Sequence, residues 1–267
     1  MVNKIVAKKI SIRFEKLGIS GFKSKLETLQ EVLRDRFPKS FMPRVQAFNI
    51  DITNPNTVQI DQDGVYELYM ASADGLHSLK IGNQGFDYTV HRYASFDVQK
   101  EFFLHVVKNV IDVMEVKYIG YLSVQNINLF TCDTDGATPH IRKNSPLATT
   151  DIGIDKSWKQ AGVATRHDYE MDDGSIGLVV LSTIAQVGQS FVPQTEWELW
   201  QFVGGIPVIQ NISLLVTISV VHHQGRKAQR SPGGNLVELD LNKVESQLEQ
   251  LHQHLNQTYS SLIIIGD

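Results

Sequence analysis

Apolar positions recur along this chain with two periods, and the longest coherent pattern runs from Ser95 to Phe130. Val98, Phe102, Val106, Val110 and Met114 recur every fourth residue, with Phe103, Val107 and Ile111 beside them, which predicts a helix with one wide apolar stripe. Ser95 is placed to cap it, and Asp97 lies at the positive end of its dipole. From Val116 to Phe130 apolar residues fill both alternations. That pattern predicts a strand in mid-sheet, covered on both faces.

Ile10, Ile12 and Phe14 alternate with Ser11, Arg13 and Glu15, so residues 5–15 read as a half-buried strand. Ser24-Lys25-Leu26-Glu27 has the spacing of a capping box, and Leu26, Leu29, Val32 and Leu33 line a helix that Pro38 ends. Further strands are predicted over 44–53, 58–60, 64–72, 76–81 and 86–93. Asp74-Gly75 predicts a hairpin with a type I′ turn. A second hairpin joins 161–170 to 175–183 across Asp172-Asp173-Gly174, and 214–221 is rich in β-formers. Val244, Leu248, Leu251, Leu255, Tyr259 and Leu262 form the most regular helical stripe, with Asn242 and Glu245 as a capping pair.

The expected fold is α+β, with two antiparallel or mixed sheets built from ferredoxin-like β-α-β elements and packed with long amphipathic helices. The polar stretch 131–160, with Pro139 and Pro146, divides an N-terminal half (1–130) from a C-terminal half (161–267) that ends in the long helix, or the two halves form one continuous domain.

Composition narrows the class. At 267 residues with 42% hydrophobic content, the chain buries roughly three quarters of its unfolded surface and needs no metal or disulfide staple. The single Cys132 excludes an internal disulfide and fits a reducing cytoplasm, the expected location. Lys4, Lys8 and Lys9 precede no continuous apolar run, so no signal peptide is expected, and no apolar run approaches the ~20 residues of a membrane span. Net charge is −4, which argues against bulk affinity for nucleic acid. The charge is uneven: residues 1–44 carry eleven Lys and Arg against four acids, leaving a strongly acidic remainder.

No phosphate-binding loop, dinucleotide fingerprint or nucleophile elbow is present, and no metal or cofactor is expected. His222-His223 point to opposite faces of a strand, and His252 and His254 lie ~200° apart on a helix, so neither pair chelates. Asp61-x-Asp63-Gly64 and Asp133-x-Asp135-Gly136 lack the later ligands of a calcium loop. Arg226, Lys227 and Arg230, between glycines in 224–234, are candidate phosphate or RNA contacts. Leu251, Leu255 and Tyr259 are candidate docking residues on the last helix. Trp197 and Trp200 are either an interaction patch or core.

The opening strand Ile10–Phe14, the segment Ser72-Ala73-Asp74-Gly75 through Ser95-Phe96, the strand Gly120-Tyr121-Leu122-Ser123-Val124-Gln125-Asn126-Ile127-Asn128, and Leu239-Asp240 with the following helix to Tyr259 resemble a sporadically distributed bacterial family of about 260 residues and unknown function. The resemblance implies a fold and no activity. In place of that family's arginine-rich strand before the asparagine, this chain has Tyr118-Ile119-Gly120-Tyr121-Leu122. The leading functional expectation is a non-catalytic protein-binding subunit or adaptor of a bacterial assembly, with a protein partner or homo-oligomer. The alternatives are nucleic-acid binding through the basic N-terminal region and 224–234, and an enzyme or small-ligand binder whose polar groups converge only in three dimensions.

Overall fold

The computed structural model describes residues 5–42, 47–50, 58–61, 67–92, 95–131, 164–224 and 236–263. The expectation of two sheets is corrected. Ten strands form one large antiparallel sheet, and the fold is mainly β. Its order is β2 (Lys39–Phe41), β5 (Leu68–Ala71), β6 (His77–Gly82), β7 (Gly85–Val90), β1 (Ile5–Phe14), β8 (Tyr118–Thr131), β11 (Ser213–His223), β10 (Ile176–Ala185) and β9 (Ala164–Glu170), with β12 (Val237–Glu238) paired to β8. A separate two-stranded ribbon joins β3 (Ala47–Ile50) to β4 (Val58–Asp61). The reason for the fusion is β8. Its 14 residues pair with β1 along one edge and with β11 along the other, so strands from both sequence halves share one hydrogen-bonded array.

Helices α1 (Ile19–Leu33), α2 (Phe96–Met114) and α4 (Leu241–Leu262) pack on one face around a single core. Helix α2 crosses from β7 to β8 over β1. Ser95 caps it, its side chain accepting from Val98 N, as its sequence predicts. The α2 stripe is buried at Val106, Val110 and Met114, but Val98 is exposed and Gln99 takes its place inward. The α1 cap differs from the prediction. The helix begins at Ile19, so Ser24 lies within it and donates to Gly21 O instead of capping. Helix α4 is capped by Asp240, two residues ahead of Asn242, whose backbone N–H its side chain accepts.

The strand β8 is fully covered on one face and only partly on the other. Ile119, Leu122, Val124, Asn126, Asn128 and Phe130 are at most 2% exposed beneath the helices, whereas the residues alternating with them are half-buried. On this second face a 3-10 turn (Gln194–Glu196) and α3 (Trp197–Val203) cover part of the sheet. Trp200 joins a small cluster with Ala7 and Val192, and Trp197 is partly exposed.

The two predicted hairpins form with one shared turn. Gly75 N donates to Ser72 O and Leu76 N to Asp74 Oδ1; Gly174 N donates to Met171 O and Ser175 N to Asp173 Oδ1. Gly75 and Gly174 have φ of +72° and +68° and their aspartates do not have positive φ. The turn therefore needs one left-handed residue, where type I′ needs two.

Candidate functional site

The helix-covered face of β1 carries Ile10, Ile12 and Phe14, and in phase with them Lys8. Lys8 is 1% exposed. It pairs in register with Asn126 of β8 and Val90 of β7. Its Nζ lies 3.1 Å from His252 Nδ1 on α4 and 4.8 Å from the centroid of the Phe96 ring on α2. The His252 ring stacks on Phe96 at 3.7 Å between centroids. Asn128, next on the same face, donates to Val216 O at 3.1 Å. Gln99, one turn beyond Phe96, is fully buried. A strand lysine, two strand asparagines, a helix glutamine and a helix histidine thus form a polar layer inside an otherwise apolar interface.

Burial governs the electrostatics of this layer. Desolvation draws the Lys8 ammonium down to about 7. Desolvation, reinforced by the Lys8 charge, draws His252 down to about 4. At neutral pH His252 is the neutral partner: Nδ1 faces Lys8 Nζ and Nε2 faces the Asn256 amide nitrogen, each at 3.1 Å, and a neutral imidazole accepts at one of its two nitrogens and donates at the other. Both amide atoms of Gln99, and Oδ1 of Asn126 and Asn128, have no hydrogen-bond partner among the described residues. Helices α2 and α4 are clasped over this layer by Lys100, which reaches Glu245 at 3.1 Å and Glu249 at 2.6 Å.

The next residue, Lys9, points to the opposite face and has a different environment. Its Nζ meets Glu196 at 2.7 Å and Asp87 at 3.3 Å, and Arg13 meets Asp87 Oδ1 at 2.8 Å. The Asp87 and Glu196 charges raise the Lys9 pKa against its burial, and Lys9 and Arg13 depress that of Asp87 against the same opposing effect. Beside this network a recess of about 270 Å³ is lined by Arg13, Glu67, Lys80, Asn83, Gln84 and Asp87. Lys80 is paired with Glu67 there.

The predicted docking residues do not form one surface. Leu251 and Leu255 are fully buried against the sheet, and Tyr259 packs half-buried beside them. Arg226, Lys227 and Arg230 lie outside the described residues, as do Cys132 and the 131–160 connection beyond Thr131. His222 and His223 face opposite sides as expected: His222 lies near Gln247 of α4 and His223 beside Gly177. His252 turns to Lys8, while His254 lines an apolar groove with Tyr169 and Leu178. Among the described residues no group of three or more His, Cys, Asp and Glu is placed to hold a metal, and no helix is long and apolar enough to cross a membrane. The basic N-terminal region is largely neutralised. Lys9, Arg13, Lys25, Arg34 and Arg36 each pair with a carboxylate, and Lys8 is buried.

Sequence reasoning missed Lys8, Gln99, Asn126 and Asn128. The signal was present. Each is a polar residue in phase with an apolar stripe: Lys8 with Ile10, Gln99 with Phe103, the asparagines with Val124 and Phe130. No family model matches the chain and no curated protein matches it, so the functional reading rests on the geometry.

Proposed function

We propose that this chain is a cytoplasmic, non-catalytic protein-binding subunit or adaptor of a bacterial multiprotein assembly, docking through the face of β8, β11 and β10 opposite α2 and α4, beyond the part that α3 covers. The observation that carries this reading is the contrast between the two faces of β8. Its inner residues are sealed, while Tyr121, Ser123 and Gln125 stand half-exposed beside Thr217, Ser219, Val179 and Leu181. Gln125 and Ser219 hydrogen-bond across the strands at 2.8 Å, which stiffens this face. A flat surface mixing aliphatic, amide, hydroxyl and aromatic groups suits a protein partner, whereas small-molecule sites are concave. The test is affinity capture from the native host with wild-type chain and a Tyr121→Asp/Leu181→Asp variant. A partner retained by wild type and lost by the variant is expected. A partner held equally by both sinks the reading.

The enzymatic alternative draws on Lys8, an amine neutralised near physiological pH beside a histidine. With Lys8 1% exposed, it requires α4 to lift. Borohydride trapping with a small aldehyde tests it: Lys8 is labelled only if the layer opens.

A further inference from the structure

The two edges of the large sheet are built differently. Strand β2 is three residues long and is bracketed in the sequence by Pro38 and Pro43, which blunts it against further pairing. Strand β9 is seven residues long, holds neither Pro nor Lys, and among the described residues pairs only with β10. Met171 N donates to Ile176 O at the base of the β9–β10 hairpin. This sets the phase of the ladder: alternate residues from Thr165 to Met171 turn their N–H and C=O toward β10, and Arg166 and Asp168 turn theirs away from it, to an edge that no described strand pairs with.

We propose that two copies of this chain pair through β9, antiparallel and two-fold about His167, joining their sheets edge to edge. In this register Arg166 lies directly opposite Asp168 of the second copy, and the outward N–H and C=O of each exchange hydrogen bonds. Thr165 lies opposite Tyr169, which is 49% exposed in the single chain. Charge selects the register. A shift of two residues one way sets Arg166 against its own copy; the other way sets Arg166 against Glu170 but also Asp168 against its own copy, so only the His167-centred pairing opposes no like charges. Within one chain Arg166 and Asp168 already form a pair, with contacts of 2.8 to 3.1 Å on one face of the strand. Pairing two copies turns these two residues into a four-charge cluster of alternating sign. This surface is separate from the sheet face proposed for a partner protein, and either stands without the other.

Sedimentation velocity of the full chain over a concentration series tests the pairing. A dimer is expected. Arg166→Asp or Asp168→Arg alone puts like charges opposite each other twice and weakens it about tenfold or more. The double exchange, Arg166→Asp with Asp168→Arg, restores it. Asp168→Pro removes an outward N–H and no bond to β10, and abolishes it. Both side chains are mostly exposed, and circular dichroism checks that each variant folds. A monomer at the highest soluble concentration, a dimer indifferent to the single reversals, or a double exchange that fails to restore pairing overturns the proposal.

Discussion

Lys8 and Lys9 are neighbours on one strand with the same side chain, and the sheet sends them to opposite fates. Lys8 enters a helix-covered interface where its close neighbours are an aromatic face and a neutral imidazole. Lys9 enters the other face, where Asp87 and Glu196 receive it. Burial opposes the charged form of both. Carboxylates decide the outcome, and proximity to water does not. An ammonium with an anion within about 3 Å recovers its desolvation cost; at Lys8, beside a ring and a neutral imidazole, burial wins and the pKa falls.

The largest expected effect separates the two lysines by pH. Lys8 has a folded pKa below its unfolded value of 10.5, so the folded chain binds fewer protons than the unfolded one between about 7 and 10.5. Stability therefore rises with pH across that window, and the penalty is fully present below it. Lys8→Met is expected to raise unfolding free energy by about 4 kcal/mol at about pH 6, with the gain vanishing above the ordinary lysine range. Urea denaturation at both ends of the window measures it, and a pH-independent gain would contradict the assignment.

On the other face, Asp87→Asn leaves Lys9 and Arg13 without their shared carboxylate and is expected to cost about 3 kcal/mol at neutral pH. Asp87 is depressed below 3.8, so its contribution is present above that value and is lost as pH falls through the folded pKa. The cost of the variant should shrink in strong acid. Lys9→Met is the counterpart of Lys8→Met with opposite sign. It is expected to destabilise by about 2 kcal/mol, and because the folded Lys9 pKa is raised, the loss holds from neutral pH through the ordinary lysine range. Thermal denaturation of the two Met variants side by side shows the inversion directly.

The smallest effect sharpens the description of the inner layer. Gln99→Met replaces two amide atoms that have no partner among the described residues with an apolar chain of similar length. It is expected to stabilise by about 1 kcal/mol. A loss of stability would show that Gln99 is satisfied in solution, through water or a movement of Lys8.

Much of the architecture was legible. The stripes of α2 and α4, the strand alternation of β1 and both Asp-Gly hairpins follow from local spacing. The errors came where a local signal competed with a neighbouring segment. Ser24-x-x-Glu27 has the capping spacing, but Ile19 and Phe22 carry the helix start nearly two turns further back, to an N-cap at Gly18, with Phe22 fully buried in the core. The apolar residues on both sides of β8 read as two covered faces, yet the long helices seal only one, and α3 covers part of the other. Leu251 and Leu255 belong to a stripe equally suited to a partner, and the sheet of the same chain claims them. Of the candidate site, the polar residues in apolar phase were visible one at a time; their convergence was not.

By itself the sequence determined which residues turn inward, because side-chain direction follows the local period of helix or strand. It determined, too, that the chain carries a polar residue on each of several inward stripes. Only the tertiary structure decided that Lys8, Asn126, Gln99 and His252 share one layer, that β8 fuses two expected sheets into one, and that Lys9 meets Asp87 while Lys8 does not. Those outcomes depend on strand order and register between segments far apart in the chain, and pairing energies of that kind leave no trace in the spacing of either segment alone.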